Sequence, residues 1–394
     1  MGVSETEKFS FIYNSYKADV RFDVINDVPG ASPSFFLKVS EDDRYPIKFA
    51  FQYGQGLIRV DRSVNKKKSA NILGDFLRIP YDNANAYLDF FIEHGFLFRI
   101  NSNQFLKVNL DDVISISKRI KALIDLINLV NAGDVSWHLK EIFDVCIAML
   151  YDNRWSLRLS DSLVKDAPQN VIKTLIDDHD LMGLETISKT EEIQKGAFSI
   201  KDTIYTKYSL KSKDYRDIVN GYSERPGGND TNFALITFAY ANCFNVDEKT
   251  RKIVDCIFHY CDEVGIPKNP AIGEPVVYYK EPDKDSFIDP KFKQPILAMA
   301  KYIIKNEIDW MIKDIKPVYN ESTMEPDWFV DSLLSAMYFS IFFMDSKMEM
   351  FKRCKYCGRL FVVKRSSTNH LYCDSYCRNN AQQAKYRAAH KKTI

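Results

Sequence analysis

A chain of 394 residues exceeds one core of ordinary size, so the length predicts two or three domains. With 45% hydrophobic and 27% charged residues the composition is that of a globular protein, which excludes a disordered or fibrous chain. The net charge of +1 hides an asymmetry: from Phe351 onward eleven Lys and Arg face one acid, Asp374, a net +10, whereas residues 1–350 hold 43 basic and 52 acidic side chains, a net −9. Segregation of this kind suggests that the C-terminal end meets a polyanion and the rest does not.

The start, MGVSETEKFSF, lacks a basic region followed by an apolar one, so no signal peptide is expected, and Gly2 with Thr6 fits the myristoylation pattern only as a chance match would. The longest apolar run, Leu333 to Met344, is twelve residues, short of the ~20 needed to span a bilayer. A cytoplasmic protein with no membrane partner is therefore expected, and in that compartment a disulfide framework is not. Of Cys146, Cys243, Cys256 and Cys261, most lie in apolar stretches such as IFDVCIAML, as reduced core cysteines do.

In chain order, FSFIYNSY, ADVRFDVI, PSFFLKV and YPIKFAFQY read as strands separated by turn residues, which makes residues 1–70 a strand-rich segment closed by the polar VNKKKSA break. Residues 71–183 read as helical. Asn83 to Gly95 is a glycine-closed helix, FLFRINSNQFLKV a hairpin turning at Ser102-Asn103, and Leu110 to Ala132 a long helix. Its stripe is Ile116, Ile120, Leu123, Ile127 and Val130. Further helices are expected over Trp137 to Tyr151 and Ala167 to Asp178. Residues 184–232 turn polar and end in ERPGGNDTN, a linker or mobile loop. A second helical region, 233–350, comprises Phe233 to Val264, a Pro-rich connection, Lys293 to Lys313 and Asp327 to Met350.

Residues 351–394 hold the most specific pattern: Cys354-x2-Cys357, then Cys373-x3-Cys377. Four thiolates in two close pairs is the arrangement of a closed tetrahedral zinc site. Gly358 after the first pair permits the turn that aims backbone amides at sulfur, and LFVV (360–363) and HLY (370–372) read as two short strands joined by KRSSTN. Asp374-Ser375 offers an N-cap to a helix whose first turn carries Cys377, where amides and the helix dipole favour a thiolate. Knuckle, hairpin and helix together describe a treble-clef finger. An iron-sulfur or rubredoxin-like site competes but only one pair has the following Gly, and oxidised pairs are disfavoured by compartment.

On that helix Cys377, Ala381, Ala384 and Ala388 would face the knuckle, and Arg378, Gln382, Lys385 and Lys392 would form a polar, basic stripe with Arg387 and Lys391 beside it. A four-thiolate zinc site carries a formal −2, which leaves about +8 uncompensated. Arg378, Lys385, Lys392, Lys364 and Arg365, with Arg387 behind them, are the candidate phosphate contacts, and Tyr356, Phe361, Tyr372, Tyr376 and Tyr386 either stack on bases or supply the small domain's core.

These residues, RCxxCGRLF, a basic turn and YCxxxCRNxAxxAxYR, resemble the CGNR zinc finger. At its last ligand the chain reads Cys377-Arg378-Asn379-Asn380, with Arg in place of Gly and Asn in place of Arg. The resemblance covers residues 353–390 and implies a structural zinc held by Cys354, Cys357, Cys373 and Cys377. It also implies a presumed DNA-binding element of a bacterial transcription regulator with an N-terminal helical domain.

Elsewhere, Cys256-x2-His259-x-Cys261 sits on an apolar helix and reads as core packing, because no second ligand pair is nearby. Helix 83–93 with its following hairpin could form a winged-helix unit, but the helix itself has no basic residues, so structural packing is the reading. Tyr53-Gly54-Gln55-Gly56 and Pro226-Gly227-Gly228 lack the phosphate-loop and dinucleotide patterns, and no catalytic motif is found. The sequence thus predicts an α+β, mainly helical chain with a strand-rich N-terminal part, a helical middle and a C-terminal treble-clef-like zinc finger. Its expected function is nucleic-acid binding, DNA above all. The alternatives are a protein-interaction adaptor docking through the finger and an enzyme within the N-terminal region.

Overall fold

The computed structural model describes residues 10–15, 18–23, 33–39, 47–52, 56–60, 71–132, 135–152, 155–159, 163–169, 227, 230, 233, 236, 248–282, 290–321, 324–343, 351–356, 360–362, 371–372 and 375–390. Helices and small sheets alternate along these residues in a mixed α+β fold, and every strand pairing among them is antiparallel. Two compact units form: unit 1 is Met1–Ile124, Arg154–Ala167 and Ile308–Ile394, and unit 2 is Asp125–Asn153 and Pro168–Glu307.

Unit 1 begins with strands where the alternation predicts them. In β1 (Ser10–Ser15) Phe11, Tyr13 and Ser15 are buried while Ile12 and Asn14 are exposed, the period of two that a sheet with one covered face requires. β1 pairs with β4 (Ile47–Gln52), which pairs with β5 (Gly56–Arg59), a short strand that the sequence reading missed. A second sheet has the order β2 (Ala18–Asp23), β3 (Ser34–Val39), β6 (Leu106–Asn109). α1 (Ile72–Arg78) opens on Asn71, whose side chain accepts from the Gly74 amide at 3.1 Å. Gly56 has φ 76°, and a Cβ there would collide with the Asn71 side chain, so the glycine makes room for the cap.

α2 (Ala84–His94) is capped by Asn83 and closed by Gly95, as expected, and its Phe91 meets Phe35 of β3 edge-on at 5.4 Å. The FLFRI half of the expected hairpin is not a strand. Phe96, Leu97 and Phe98 are buried consecutively, which no strand with one covered face permits, and the Leu97 carbonyl accepts from the Leu334 amide at 2.9 Å. The remaining half, β6, joins β3 instead, and the Ser102 side chain turns the chain by bonding Gln104. α3 (Leu110–Val130) follows as predicted.

The helix expected over Asp327 to Met350 is also revised. Residues 325–329 form β12 (Glu325–Phe329), paired with β11 (Lys316–Asn320), and α7 (Leu333–Phe342) starts only after Ser332, whose hydroxyl caps the Ser335 amide at 3.0 Å. α7 is buried almost throughout. Its Phe339 lies 4.9 Å from Phe11 of β1 and 5.4 Å from Trp328 of β12. The edge hairpin β7 (Ser156–Arg158) and β8 (Val164–Asp166) is held by Lys165, whose ammonium lies 3.1 Å from Asp314 and 3.6 Å from Asp331.

Unit 2 is built on α4 (Leu139–Tyr151), α5 (Glu248–Glu263) and most of α6 (Pro290–Ile312). Phe143 of α4 stacks on Tyr260 of α5 at 3.5 Å, and Tyr260 meets Phe292 of α6 at 5.4 Å. The Pro-rich connection folds back through β9 (Pro267–Lys268) and β10 (Val277–Tyr278) and is tied down by polar bonds. Tyr278 donates to Asp144 at 2.6 Å, and the Ile272 amide donates to Asp152 at 3.0 Å. Of the expected polar stretch 184–232 only Gly227 and Asp230 are described, and of the expected helix 167–178 only Ala167 to Gln169, which are irregular.

Candidate metal and nucleic-acid site

The C-terminal segment belongs to unit 1, where β14 (Leu360–Val362) packs against α1. β14 pairs with β13 (Phe351–Arg353), with Phe351 opposite Val362 and Arg353 opposite Leu360. The partner of the LFV strand is therefore the strand before the first cysteine. Leu371 and Tyr372, expected to be that partner, are not in a strand. The chain leaves β13 directly into Cys354, which is buried at 2% exposure. The next residue, Lys355, donates its amide to the Leu371 carbonyl at 2.9 Å. One backbone bond thus joins the flank of the first cysteine pair to the residue two positions before Cys373.

α8 (Ser375–His390) starts at Ser375, one of the two residues expected to cap it. Cys377 lies in its first turn and is buried at 6%, followed one turn later by Ala381 at 9%. Ala384 is exposed, contrary to the expectation that it faces the knuckle, and the side chain of Ala388 lies outside the described residues. Arg378 and Gln382 are exposed on the other side, as the basic stripe requires. Tyr376 is 72% and Tyr356 48% exposed, so neither is core.

Of the four predicted ligands the structure describes Cys354 and Cys377; Cys357 and Cys373 lie outside the described residues. Lys364, Arg365 and Lys392 lie outside them as well, while Lys385 and Arg387 lie on α8. What the two described cysteines provide fits a soft, thiophilic cation: buried sulfurs, one at a strand end and one at a helix N-terminus whose dipole favours a thiolate. The cysteines of unit 2 contrast with them. Burial pushes the thiols of Cys146 and Cys256 well above their usual range, which keeps them protonated and inert.

Cys256, His259 and Cys261 are all buried on α5, as core packing predicts, and no group of three or more potential ligands occurs among the described residues. Likewise no helix among them is long and apolar enough to cross a membrane. The Lys355–Leu371 bond and the docking of β14 on α1 had no sequence signal, since each joins segments by backbone or packing alone. No protein-family model matches the chain, and neither a curated protein nor a solved structure matches it.

Proposed function

We propose that the chain binds a structural zinc ion through Cys354, Cys357, Cys373 and Cys377 and uses the surrounding basic segment to contact nucleic acid, DNA first, as a transcription regulator. The observation that carries this reading is the local arrangement at α8. Buried Cys377 in its first turn is followed by exposed Arg378, inside a segment of net +10. Four thiolates close the coordination shell and leave no position for a catalytic water, so the metal's contribution is to hold together a small domain with little core of its own. Arg378, Lys385 and Lys392, with Lys364, Arg365 and Arg387, then supply phosphate contacts whose strength falls with salt.

The test measures metal and nucleic acid together. The purified chain is expected to contain about one zinc ion, lost in Cys373→Ser. Duplex DNA binding is expected to weaken steeply with salt and to vanish in Arg378→Glu/Lys385→Glu. Absent or salt-insensitive binding sinks the nucleic-acid reading while leaving the zinc. Leu371, 42% exposed and bonded through its carbonyl to the Lys355 amide, favours a second reading in which the finger docks on a protein; retained zinc with a protein partner lost in Leu371→Glu is its signature.

A further inference from the structure

We propose that the outer face of the β2–β3–β6 sheet is a second, separate binding surface, for single-stranded nucleic acid. The pleat divides this sheet cleanly. Phe35, Leu37 and Val108 point inward and are fully buried, so the residues between them point outward. The register sets Arg21, Phe36 and Lys107 in one row across the three strands. The neighbouring row holds Lys38, and Phe105 immediately precedes β6.

The Arg21 guanidinium lies 3.7 Å from the centre of the Phe105 ring, and the Lys38 ammonium lies 5.4 Å from the same ring. Arg21 therefore reaches across β3 and lies flat on the sheet. Both Arg21 and Lys107 are exposed, Phe36 and Phe105 are half-buried, and among the described residues neither Arg21 nor Lys107 has an ion-pair partner. The acids of this face, Asp19 and Asp23, sit on the edge strand β2, and Asp19 engages Lys38 at 3.4 Å. Positive charge consequently lies over the centre and the β6 edge, with the acids at the opposite edge.

Alternating cations and rings on an open sheet suit a polyanion whose other component is planar. Bases stack on aromatic faces and on guanidinium planes, and lysines take the phosphates. The two rings are diagonal neighbours across β3 and β6, about 7 Å apart, roughly twice the ~3.4 Å rise of a duplex strand. Bases seated on Phe36 and on the Arg21 guanidinium that covers Phe105 must be unstacked from each other, which a single strand permits and a duplex does not. The surface does not depend on the C-terminal finger.

The test is equilibrium binding of fluorescent oligo(dT) and oligo(U) to the full chain, with photo-crosslinking through halogenated bases and mapping of the crosslinked peptides. Phe36→Leu and Phe105→Leu keep apolar bulk for folding but remove the ring. Each is expected to weaken binding roughly ten-fold, and Arg21→Gln similarly, whereas Asp19→Asn and Asp23→Asn tighten it. Crosslinks in residues 34–39 and 105–109 that disappear in these variants support the inference, and the stronger of the two homopolymers assigns DNA or RNA. Crosslinks confined to residues 351–394, unchanged in these variants, overturn it and leave the finger reading standing. Duplex bound as tightly as single strand also overturns it, and an absence of any binding overturns both.

Discussion

Unit 1 and unit 2 fill their interiors differently. Unit 1 packs ring on ring: Phe11 on Phe51 at 5.3 Å, Phe35 on Phe91 at 5.4 Å and Phe91 on Phe96 at 4.9 Å, with α7 laid against them. Unit 2 buries polar groups among its rings. Tyr278 donates to Asp144, which also accepts from Lys140 at 2.6 Å, and Asp255 lies 3.4 Å from His259 with both side chains 1% exposed. Ring packing contributes through area and shape, whereas a buried polar group contributes only as far as its partners offset its desolvation. The first kind of interior answers to volume, the second to protons and hydrogen-bond partners.

The largest effect expected from this contrast is in unit 1. Phe91 is fully buried and touches rings from β3 and from the segment after α2, so Phe91→Ala removes contacts on several sides of a site that cannot collapse. A loss of about 3–5 kcal/mol is expected, read as a shift of the urea midpoint.

In unit 2 the corresponding break is chemical. Tyr278→Phe conserves the ring but removes the hydroxyl that donates to Asp144, a carboxyl whose pKa burial already raises despite the bonds from Lys140 and Tyr278. The cost is expected to be about 1.5–3 kcal/mol, as for a hydrogen bond to a charged group. Tyr278→Leu should cost more than Tyr278→Phe by the lost ring contact alone; a Tyr278→Phe midpoint equal to the parent's would show that the hydroxyl contributes nothing.

Gly227→Ala comes next. Gly227 has φ 88°, and a Cβ there meets the ring of Tyr279, whose hydroxyl donates to Asp230 at 2.8 Å. Asp230 also caps the Phe233 amide at 3.2 Å, so one glycine keeps the loop end, the ring and the helix start in register. About 1–2 kcal/mol is expected from the left-handed backbone, and Tyr279→Ala should relieve the part that is collision.

The contrast between the units bears on what a sequence can reveal. Strands β1 to β4 were legible because alternation is local: Phe11 and Tyr13 flank Ile12 whatever the rest of the chain does. α2 and α3 were legible from caps and stripes. What failed was pairing. The LFV strand takes FKR as its partner, and DWF becomes a strand because KPVYN lies beside it, with Val318 opposite Asp327. At the candidate metal site spacing identified the cysteines, but only the folded chain brings Leu371 to Lys355. The polar bonds of unit 2 were invisible for the same reason: Tyr278 and Asp144 are 134 residues apart.

The smallest expected effect reverses the sign of the others. Both carboxylate oxygens of Asp255 are buried without a hydrogen bond among the described residues, and burial raises its pKa above 3.8 against the pull of His259. The folded state therefore holds its proton more tightly than the unfolded state does. Between 3.8 and the raised value stability falls as pH rises, and the full cost remains at neutral pH. In unit 1 burial lowers the pKa of His94 below 6.5, ahead of the opposing Glu93 and the reinforcing Arg59. Here the unfolded state takes up the proton first, so stability falls as pH drops below 6.5. The two interiors thus oppose each other in pH, and Asp255→Asn separates them. The amide matches the protonated carboxyl in shape and does not ionise. The variant should therefore match the parent near pH 3.5, exceed it increasingly toward neutral pH, and keep the His94 decline in mild acid. A thermal midpoint lower than the parent's at neutral pH would instead mean that attraction to His259 outweighs desolvation, and that unit 2 is held by its buried charge rather than in spite of it.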